Sequence, residues 1–168
     1  MRLNPASSAK ILSRKELALR LDAERASGRT VAFANGLFDL LHAGHVRYLE
    51  AAAREADRLV VAINSDASAR ALKGPARPLV AAPERAEIVA ALACVDFVCV
   101  FEELTAEATL RLLRPDVHCK GTDYTEGSVP EREVVLSWGG RVAIVGDPKD
   151  HSTRDLIREI VLRSGGDV

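Results

Sequence analysis

The chain has 168 residues, of which 48% are hydrophobic and 28% are charged, and its formal net charge is −1. This length and balance indicate one globular domain with its own core, and the small net charge argues against nucleic acid or a membrane surface as a partner. We see no apolar signal segment and no run near the roughly 20 apolar residues of a membrane span. The three cysteines lack CxxC spacing. We therefore expect a cytoplasmic protein with reduced thiols.

We expect residues 1–12 to be loosely ordered and residues 13–168 to form one domain. The first helix is predicted over residues 13–27, because Ser13 and Glu16 have the spacing of a capping box and Gly28 follows the pattern. After it, continuous apolar runs alternate with helical patterns. Strands are predicted over residues 30–34, 58–63, 96–101, 117–119 and 141–145, and helices over residues 44–56, 83–93, 105–113, 130–137 and 152–163.

Apolar strands that alternate with helices predict a single α/β domain: a Rossmann-like, doubly wound parallel sheet with helices on both faces. Such sheets bind ligands beyond the carboxyl ends of their strands. Small and polar residues follow the predicted strands, so we expect the chemistry at this rim, near Asn35, Gly36, Asn64, Asp66, Lys120, Gly121, Asp123 and Asp147.

The most informative segment is NGLFDLLHAGH, residues 35–45. His42 and His45 are three residues apart where a strand gives way to a helix, which places both on one side of the first turn. Gly44 lets phosphates approach a helix N-terminus whose free N–H groups and dipole favour anions. Imidazoles there can stabilise charge on a phosphoryl group. Two alternatives stay open: ordinary helix-start residues, or a zinc site completed by Asp39.

Two further segments carry cations or hydroxyls. The segment LKGPARP, residues 72–78, is typical of a flexible basic loop, in which Lys73 and Arg77 can close over a triphosphate; a solvated linker is the alternative. Arg85, in the next helix, can reach the same phosphates or be a surface arginine. In HSTRD, residues 151–155, the hydroxyls of Ser152 and Thr153 form either a phosphate cradle or a plain helix cap.

The HxGH pattern resembles the signature of the cytidylyltransferase-like nucleotidyltransferases, and nearly the whole chain resembles those that adenylylate heptose 1-phosphate. Neither GxxxxGK[ST] nor GxGxxG occurs, which argues against P-loop and dinucleotide-binding enzymes. The residues that carry the resemblance are the segments NGLFDLLHAGH, VAINSD, KGPARP and KGTDY, together with Arg85, Ser152 and Thr153.

The resemblance implies an enzyme that transfers AMP from ATP to a heptose 1-phosphate with Mg²⁺ and releases pyrophosphate, for lipopolysaccharide core synthesis. It also implies a homodimer and a separate sugar kinase. His42, His45 and Lys73 are then catalytic. The expected nucleotide and phosphate contacts are Asn35, Gly36, Phe38, Asp39, Gly44, Arg77, Arg85, Lys120, Gly121, Asp123, Ser152 and Thr153, with Asp39 a further ligand for Mg²⁺; the expected substrate contacts are Asn64, Asp66, Tyr124 and Arg154.

Two positions depart from the family pattern: Thr122 stands for a second glycine and Arg154 for a second threonine. Three alternatives to the adenylyltransferase stay open. One is a cytidylyltransferase acting on glycerol 3-phosphate or a similar alcohol phosphate. Another is a metal-dependent hydrolase that uses Asp39, His42 and His45, and the third is a nucleotide-binding regulator.

Overall fold

A computed structural model describes residues 5–148 and 152–164. Its five strands form one parallel sheet in the order β3-β2-β1-β4-β5. All five predicted strands are present, within two residues of their predicted bounds, and the predicted α/β fold is confirmed. The strands are β1 (Val31–Gly36), β2 (Arg58–Asn64), β3 (Phe97–Phe101), β4 (Val117–Lys120) and β5 (Arg141–Ile144).

Helices connect and cover these strands. The predicted capping box of the first long helix is present, because Ser13 N–H donates to Glu16 Oε2 at 2.9 Å and Glu16 N–H donates to Ser13 Oγ at 3.3 Å. None of the helices in the described ranges is long and apolar enough to cross a membrane. The helices are α1 (Pro5–Ser8), α2 (Arg14–Ala26), α3 (Ala43–Ala53), α4 (Asp66–Lys73), α5 (Ala82–Ala90), α6 (Glu107–Leu113), α7 (Arg132–Leu136) and α8 (Thr153–Arg163), and one 3₁₀ turn covers Glu126–Ser128.

The core has one apolar layer on each face of the sheet. Helices α3 and α5 cover the face that carries Ala34 and Val61, whereas α2, α6 and α7 cover the face that carries Phe33. Cys99 and Cys119 lie in these layers, and burial raises the pKa of each thiol to about 12. They are packing residues and not thiolate nucleophiles.

Helix α4 was not predicted. Ser65 caps it by accepting a hydrogen bond from the Ser68 N–H, but only Ser68 and Ala69 are buried along it. The segment therefore has no apolar stripe by which sequence reasoning detects a helix. As a consequence, Lys73 ends a helix instead of lying within a flexible loop.

The N-terminal segment also differs from its prediction. Ile11 forms a parallel bridge with Val98 of β3, and Leu12 N–H donates to the Val98 carbonyl at 2.9 Å. The Lys10 ammonium donates to the carbonyl of Val95 at 2.7 Å. Residues 10–12 are therefore held at the outer edge of the sheet. Residues 1–4, 149–151, including His151, and 165–168 lie outside the described residues.

Candidate active site

The strand order places a crevice at the carboxyl ends of β1 and β4. Strands β1, β2 and β3 progress to one side of the sheet, and β4 and β5 progress to the other. The point at which this direction reverses is where open α/β sheets bind ligands. Asn35 and Gly36 end β1 at this crevice, and Lys120 ends β4 beside them.

The two histidines lie together at the start of α3. His42 is the N-cap residue and His45 is the third residue of the helix. Their rings stack with centroids 3.9 Å apart, and the Phe38 ring lies 5.5 Å from that of His45. His42 N–H donates to His45 Nδ1 at 3.4 Å, so the neutral His45 ring carries its proton on Nε2. Gly44, which with Ala43 separates the two histidines in the sequence, is the second residue of α3.

The loop that presents these histidines turns sharply. Phe38 and Leu40 both have positive φ angles, 51° and 49°, a conformation that bulky residues rarely adopt without support from neighbouring contacts. A Cβ on Gly36 would lie 3.2 Å from the Phe38 ring, so the chain packs closely here. The strained loop is held by two buried charged residues, Asp39 and Arg85.

Asp39 anchors the segment that follows α4. Its carboxylate is 1% exposed and pairs with the Arg77 guanidinium, at 2.7 Å from Nε and 2.6 Å from Nη2. The same carboxylate accepts hydrogen bonds from the N–H groups of Leu79 and Val80 at 3.0 to 3.1 Å. Both oxygens of Asp39 and the charge of Arg77 are therefore used within the protein. This geometry does not support Asp39 as a Mg²⁺ ligand or Arg77 as a phosphate ligand.

Arg85 is an internal clamp. Its side chain is 1% exposed and donates to the carbonyls of Leu37 and Val80 and to Asp66 Oδ1, at 2.6, 2.8 and 2.8 Å. Asp66 Oδ1 also accepts from the Ala82 N–H at 2.8 Å. These contacts join the loop after β1 to the start of α5, and the predicted phosphate contact of Arg85 has no support in this arrangement.

Asn64 also serves the scaffold. It is 3% exposed and donates through Nδ2 to Ser68 Oγ at 2.9 Å, which in turn donates to the Glu103 carbonyl at 2.8 Å. Asn64 and Asp66 thus tie the end of β2 to α4 and α5 instead of lining an open substrate cleft.

On the other side of the crevice, a buried polar cluster surrounds Lys120. Its ammonium lies 3.2 Å from Asn35 Oδ1, 3.6 Å from Glu131 Oε2 and 5.2 Å from the centre of the Tyr124 ring. Burial lowers the pKa of Lys120, and the negative charges of Glu131 and Asp123 oppose that change. His118 Nε2 also lies 3.1 Å from Asn35 Oδ1.

His118 is neutral in this cluster. It is fully buried, and desolvation, with a smaller effect of the Lys120 charge, lowers its pKa to about 3. Sequence analysis did not identify His118 or Glu131. The alternation of β4 gives a signal for His118, because it lies on the same face of the strand as Lys120, whereas the sequence carries no signal for Glu131.

The turn after β4 is tight. A Cβ on Gly121 would lie 2.9 Å from Asp123 Oδ1, and Tyr124 N–H donates to the Gly121 carbonyl at 3.0 Å. Thr122, one of the departures from the family pattern, donates to the Asp147 carbonyl at 2.8 Å. This contact joins the turn after β4 to the turn after β5.

The N-terminus of α8 contacts the histidine loop. Thr153 Oγ1 donates to the Asp39 carbonyl at 2.9 Å. Ser152 is the N-cap residue, and its hydroxyl accepts a hydrogen bond from the Asp155 N–H at 3.1 Å. Of the two roles predicted for this segment, the structure therefore shows the helix cap. Arg154 and Lys73 are both exposed, and neither forms an ion pair with another described residue. The N-termini of α3 and α8 therefore border one loop.

Asp39, His42 and His45 do not form the metal site that the hydrolase alternative requires. The carboxylate of Asp39 is committed to Arg77 and the main chain, while the two imidazoles stack on each other. Nowhere in residues 5–148 and 152–164 do three His, Cys, Asp or Glu side chains form a group able to hold a metal ion.

The sequence model of the cytidylyltransferase-like family matches residues 33–158. This range begins in β1, contains the paired histidines and ends within α8. The chain belongs to the cytidylyltransferase-like family. The resemblance inferred from HxGH is thereby confirmed.

Relatives with similar sequences include the bifunctional protein HldE of Trichlorobacter lovleyi, which is 48% identical over 157 residues, or 94% of this chain. HldE of Geobacter sulfurreducens is 49% identical over 157 residues, also 94% of this chain. The match takes in 32% of each relative, so the chain spans about a third of their length.

A crystal structure of a lipopolysaccharide core biosynthesis protein from Thermoplasma volcanium superposes with a TM-score of 0.60 at 29% identity. The similarity covers 70% of this chain and 95% of that protein. Sequence family and fold therefore agree.

Proposed function

We propose that the protein transfers AMP from ATP to a heptose 1-phosphate and releases pyrophosphate. The observation that carries this proposal is the stacked His42–His45 pair at the N-terminus of α3, beside the crevice between β1 and β4. Two imidazoles and the free N–H groups of a helix N-terminus form a site for a polyphosphate, not for a neutral ligand.

The triphosphate lies between two helix N-termini in this proposal. His42 and His45 bind phosphate oxygens from α3, and the main-chain N–H groups at the start of α8, which follows Ser152, bind others. The hydrogen bond from Thr153 Oγ1 to the Asp39 carbonyl supports this arrangement, because it brings the start of α8 against the histidine loop. Arg154, which is exposed in the first turn of α8, adds positive charge near the same phosphates.

Lys73 supplies an exposed positive charge in this proposal. It is exposed at the end of α4, and Gly74 follows it with a φ of +100°, which allows the chain to turn. Arg77 and Arg85 are engaged elsewhere. We therefore assign charge neutralisation in this segment to Lys73, and loop support to Asp39, Arg77 and Arg85.

The chemical step is an in-line displacement. An oxygen of the sugar phosphate forms a bond to the α-phosphorus of ATP as the bond from that phosphorus to the bridging oxygen breaks, and pyrophosphate leaves with the electron pair. The attacking phosphate is already anionic, so no base is required. Catalysis then consists of positioning and of stabilising charge on the transferring group by His42, His45 and Lys73.

Mg²⁺ is proposed as the cofactor, entering with the triphosphate. Asp39 does not fit as its ligand, because both carboxylate oxygens accept hydrogen bonds within the protein. The phosphate oxygens themselves are suitable ligands for a cation that retains much of its water. It supplies charge neutralisation when bound.

The choice of nucleotide and sugar rests on the relatives. The similarity to proteins named HldE and to a lipopolysaccharide core biosynthesis protein favours ATP, a heptose 1-phosphate and that pathway. In this proposal Gly121, Asp123 and Tyr124 lie near the adenine base. The relatives are bifunctional and about three times as long as this chain. Their second function supports a sugar kinase as the partner of this protein in the pathway. We propose that both act in the cytoplasm.

A homodimer is also proposed, through α8. Leu156 and Ile160 are 39% and 50% exposed and, with Ile88 of α5, line an apolar groove of about 340 Å³. Exposed apolar patches of this kind mark association surfaces. Light scattering is expected to give a dimer that Ile160→Glu dissociates; a monomeric native protein would reject this part of the proposal.

The decisive assay measures pyrophosphate release with Mg²⁺, a heptose 1-phosphate and each nucleoside triphosphate in turn. Release with ATP, dependent on the heptose phosphate, is expected. Release with CTP and glycerol 3-phosphate instead would retain the reaction and replace both substrates. Absence of release with every pair of substrates would reject transferase activity and favour the nucleotide-binding regulator.

A further inference from the structure

The ion pair between Lys120 and Glu131 is buried at the functional crevice. The two side chains are only 9% and 7% exposed, and their charged atoms lie 3.6 Å apart. Lys120 ends β4, and Glu131 immediately precedes α7. The pair therefore joins the crevice to α7, which covers the face of the sheet that carries Phe33.

Glu131 has no other evident use. A buried carboxylate costs free energy unless a partner compensates its charge. Among the described residues, Lys120 is the one cation that pairs with Glu131. Glu131 Oε2 accepts no hydrogen bond from these residues. Glu133, two residues further on, is 83% exposed and pairs with Arg132 at the surface. The contrast indicates that Glu131 is placed to serve Lys120.

Asn35 completes the arrangement. Its Oδ1 faces both Lys120 Nζ, at 3.2 Å, and His118 Nε2, at 3.1 Å. Since this oxygen is occupied, the remaining hydrogen-bonding capacity of the amide is the two N–H donors of Nδ2, which donate to none of the described residues. An ammonium and an amide donor thus lie side by side where β1 and β4 end, and that combination suits an anion.

We propose that Glu131 is a positioning residue for the transfer reaction, which holds the Lys120 ammonium next to Asn35 so that the ammonium binds the phosphate of the acceptor sugar. This inference rests on the proposed function. The acceptor phosphate must approach a triphosphate that is itself negative, and a cation fixed in advance reduces this repulsion without reorganisation at the moment of reaction.

The first test compares Glu131→Gln with the matched control Glu133→Gln. Asp123, Tyr124 and His118 also face Lys120 and stay unchanged in both variants. Loss of the Glu131 charge is expected to raise KM for the sugar phosphate about tenfold and to move the alkaline limb of kcat/KM about one pH unit lower, since a nearby negative charge stabilises the protonated lysine. Glu133→Gln is expected to change neither value.

Lys120→Arg separates charge placement from a folding role. Arginine stays protonated over the pH range in which the lysine titrates. When Lys120 is replaced by arginine, Glu131→Gln is therefore expected to leave the alkaline limb of kcat/KM unchanged. A folded Glu131→Gln protein that lowers kcat but keeps the wild-type KM and alkaline limb would overturn the proposal, because it would give Glu131 a structural role alone.

A second measurement needs no turnover and so distinguishes this inference from the proposed function. The chain has five lysines, so labelling lysine with ¹³C gives few NMR signals. The signal that disappears in the Lys120→Arg variant is the signal of Lys120. Inorganic phosphate is expected to shift that signal in the wild-type protein, with at least about fivefold weaker binding in Glu131→Gln, the scale of one charge-assisted contact. A wild-type Lys120 signal that does not respond to phosphate would overturn the inference even if Glu131→Gln fails to fold.

Discussion

The hydroxyl of Thr153 donates a 2.9 Å hydrogen bond to the main-chain carbonyl of Asp39. These residues are far apart in the sequence, and the bond fixes the first turn of α8 against the loop that carries the histidines. The side chain of Asp39 meanwhile holds Arg77 and the two amides beyond it. One residue thus connects three segments around the proposed triphosphate site.

Replacing Thr153 with valine keeps the shape of the side chain and removes this bond. KM for ATP is expected to rise about fivefold, corresponding to about 1 kcal/mol for one hydrogen bond, with little change in the melting temperature. Initial-rate kinetics at varied ATP concentration measure the effect. An unchanged KM for ATP would show that α8 does not help to position the triphosphate.

Asp39→Asn breaks a buried ion pair with Arg77 while keeping the side-chain volume. We expect the free energy of unfolding to fall by about 2 kcal/mol, because the partly exposed Arg77 guanidinium loses its buried counter-charge. Urea denaturation measures this loss. Asp22→Asn is the control, since Asp22 is 73% exposed in its pair with Arg25 and is expected to contribute less than about 1 kcal/mol. Equal stability of the two variants would contradict the anchoring role.

Lys73→Ala is expected to reduce kcat at least about tenfold, the effect of losing one charged contact to the transferring phosphates. Stability is expected to stay unchanged, because Lys73 is exposed and forms no ion pair with the residues that the structure describes. Arg70→Ala, also exposed on α4, is the control. Equal kcat in the two variants would remove Lys73 from the catalytic set.

His118 gives the protein a measurable sensitivity to acid. Burial lowers the pKa of His118 from 6.5 to about 3 in the folded protein. Between about pH 3 and pH 6.5, His118 therefore binds a proton in the unfolded chain but not in the folded protein. Stability is therefore retained above pH 6.5 and is lost below it by about 1.4 kcal/mol per pH unit. His118→Gln is expected to flatten this part of the curve in urea denaturations at pH 7 and pH 5. Parallel curves for the two proteins would contradict the assignment.

The fold was accessible from the sequence because its strands are continuous apolar runs. The prediction missed α4, whose exposed surface leaves no apolar stripe. It also missed the pairing of residues 10–12 with Val98, which is far away in the sequence. A turn or a helix start depends on neighbouring residues and can be recognised in the sequence. The pairing of a terminal segment with the edge of a sheet depends on residues far along the chain and cannot.

The site was only partly accessible for a related reason. A motif such as HxGH carries its geometry in its own spacing, and His42 and His45 do lie together. The burial of an arginine, by contrast, depends on the whole fold. Arg77 and Arg85 were assigned to phosphates on their charge and on the family resemblance, and each has an internal carboxylate partner. Glu131 was missed because its partner, Lys120, lies on another element.

The central claim is that the histidine pair stabilises the transferring phosphoryl group, and His45→Ala tests it most directly. Single-turnover rates with ATP and heptose 1-phosphate should fall at least about 100-fold, the effect of removing one preorganised donor, while circular dichroism and the melting temperature stay those of the wild type. A folded His45→Ala protein with the wild-type rate would contradict the account.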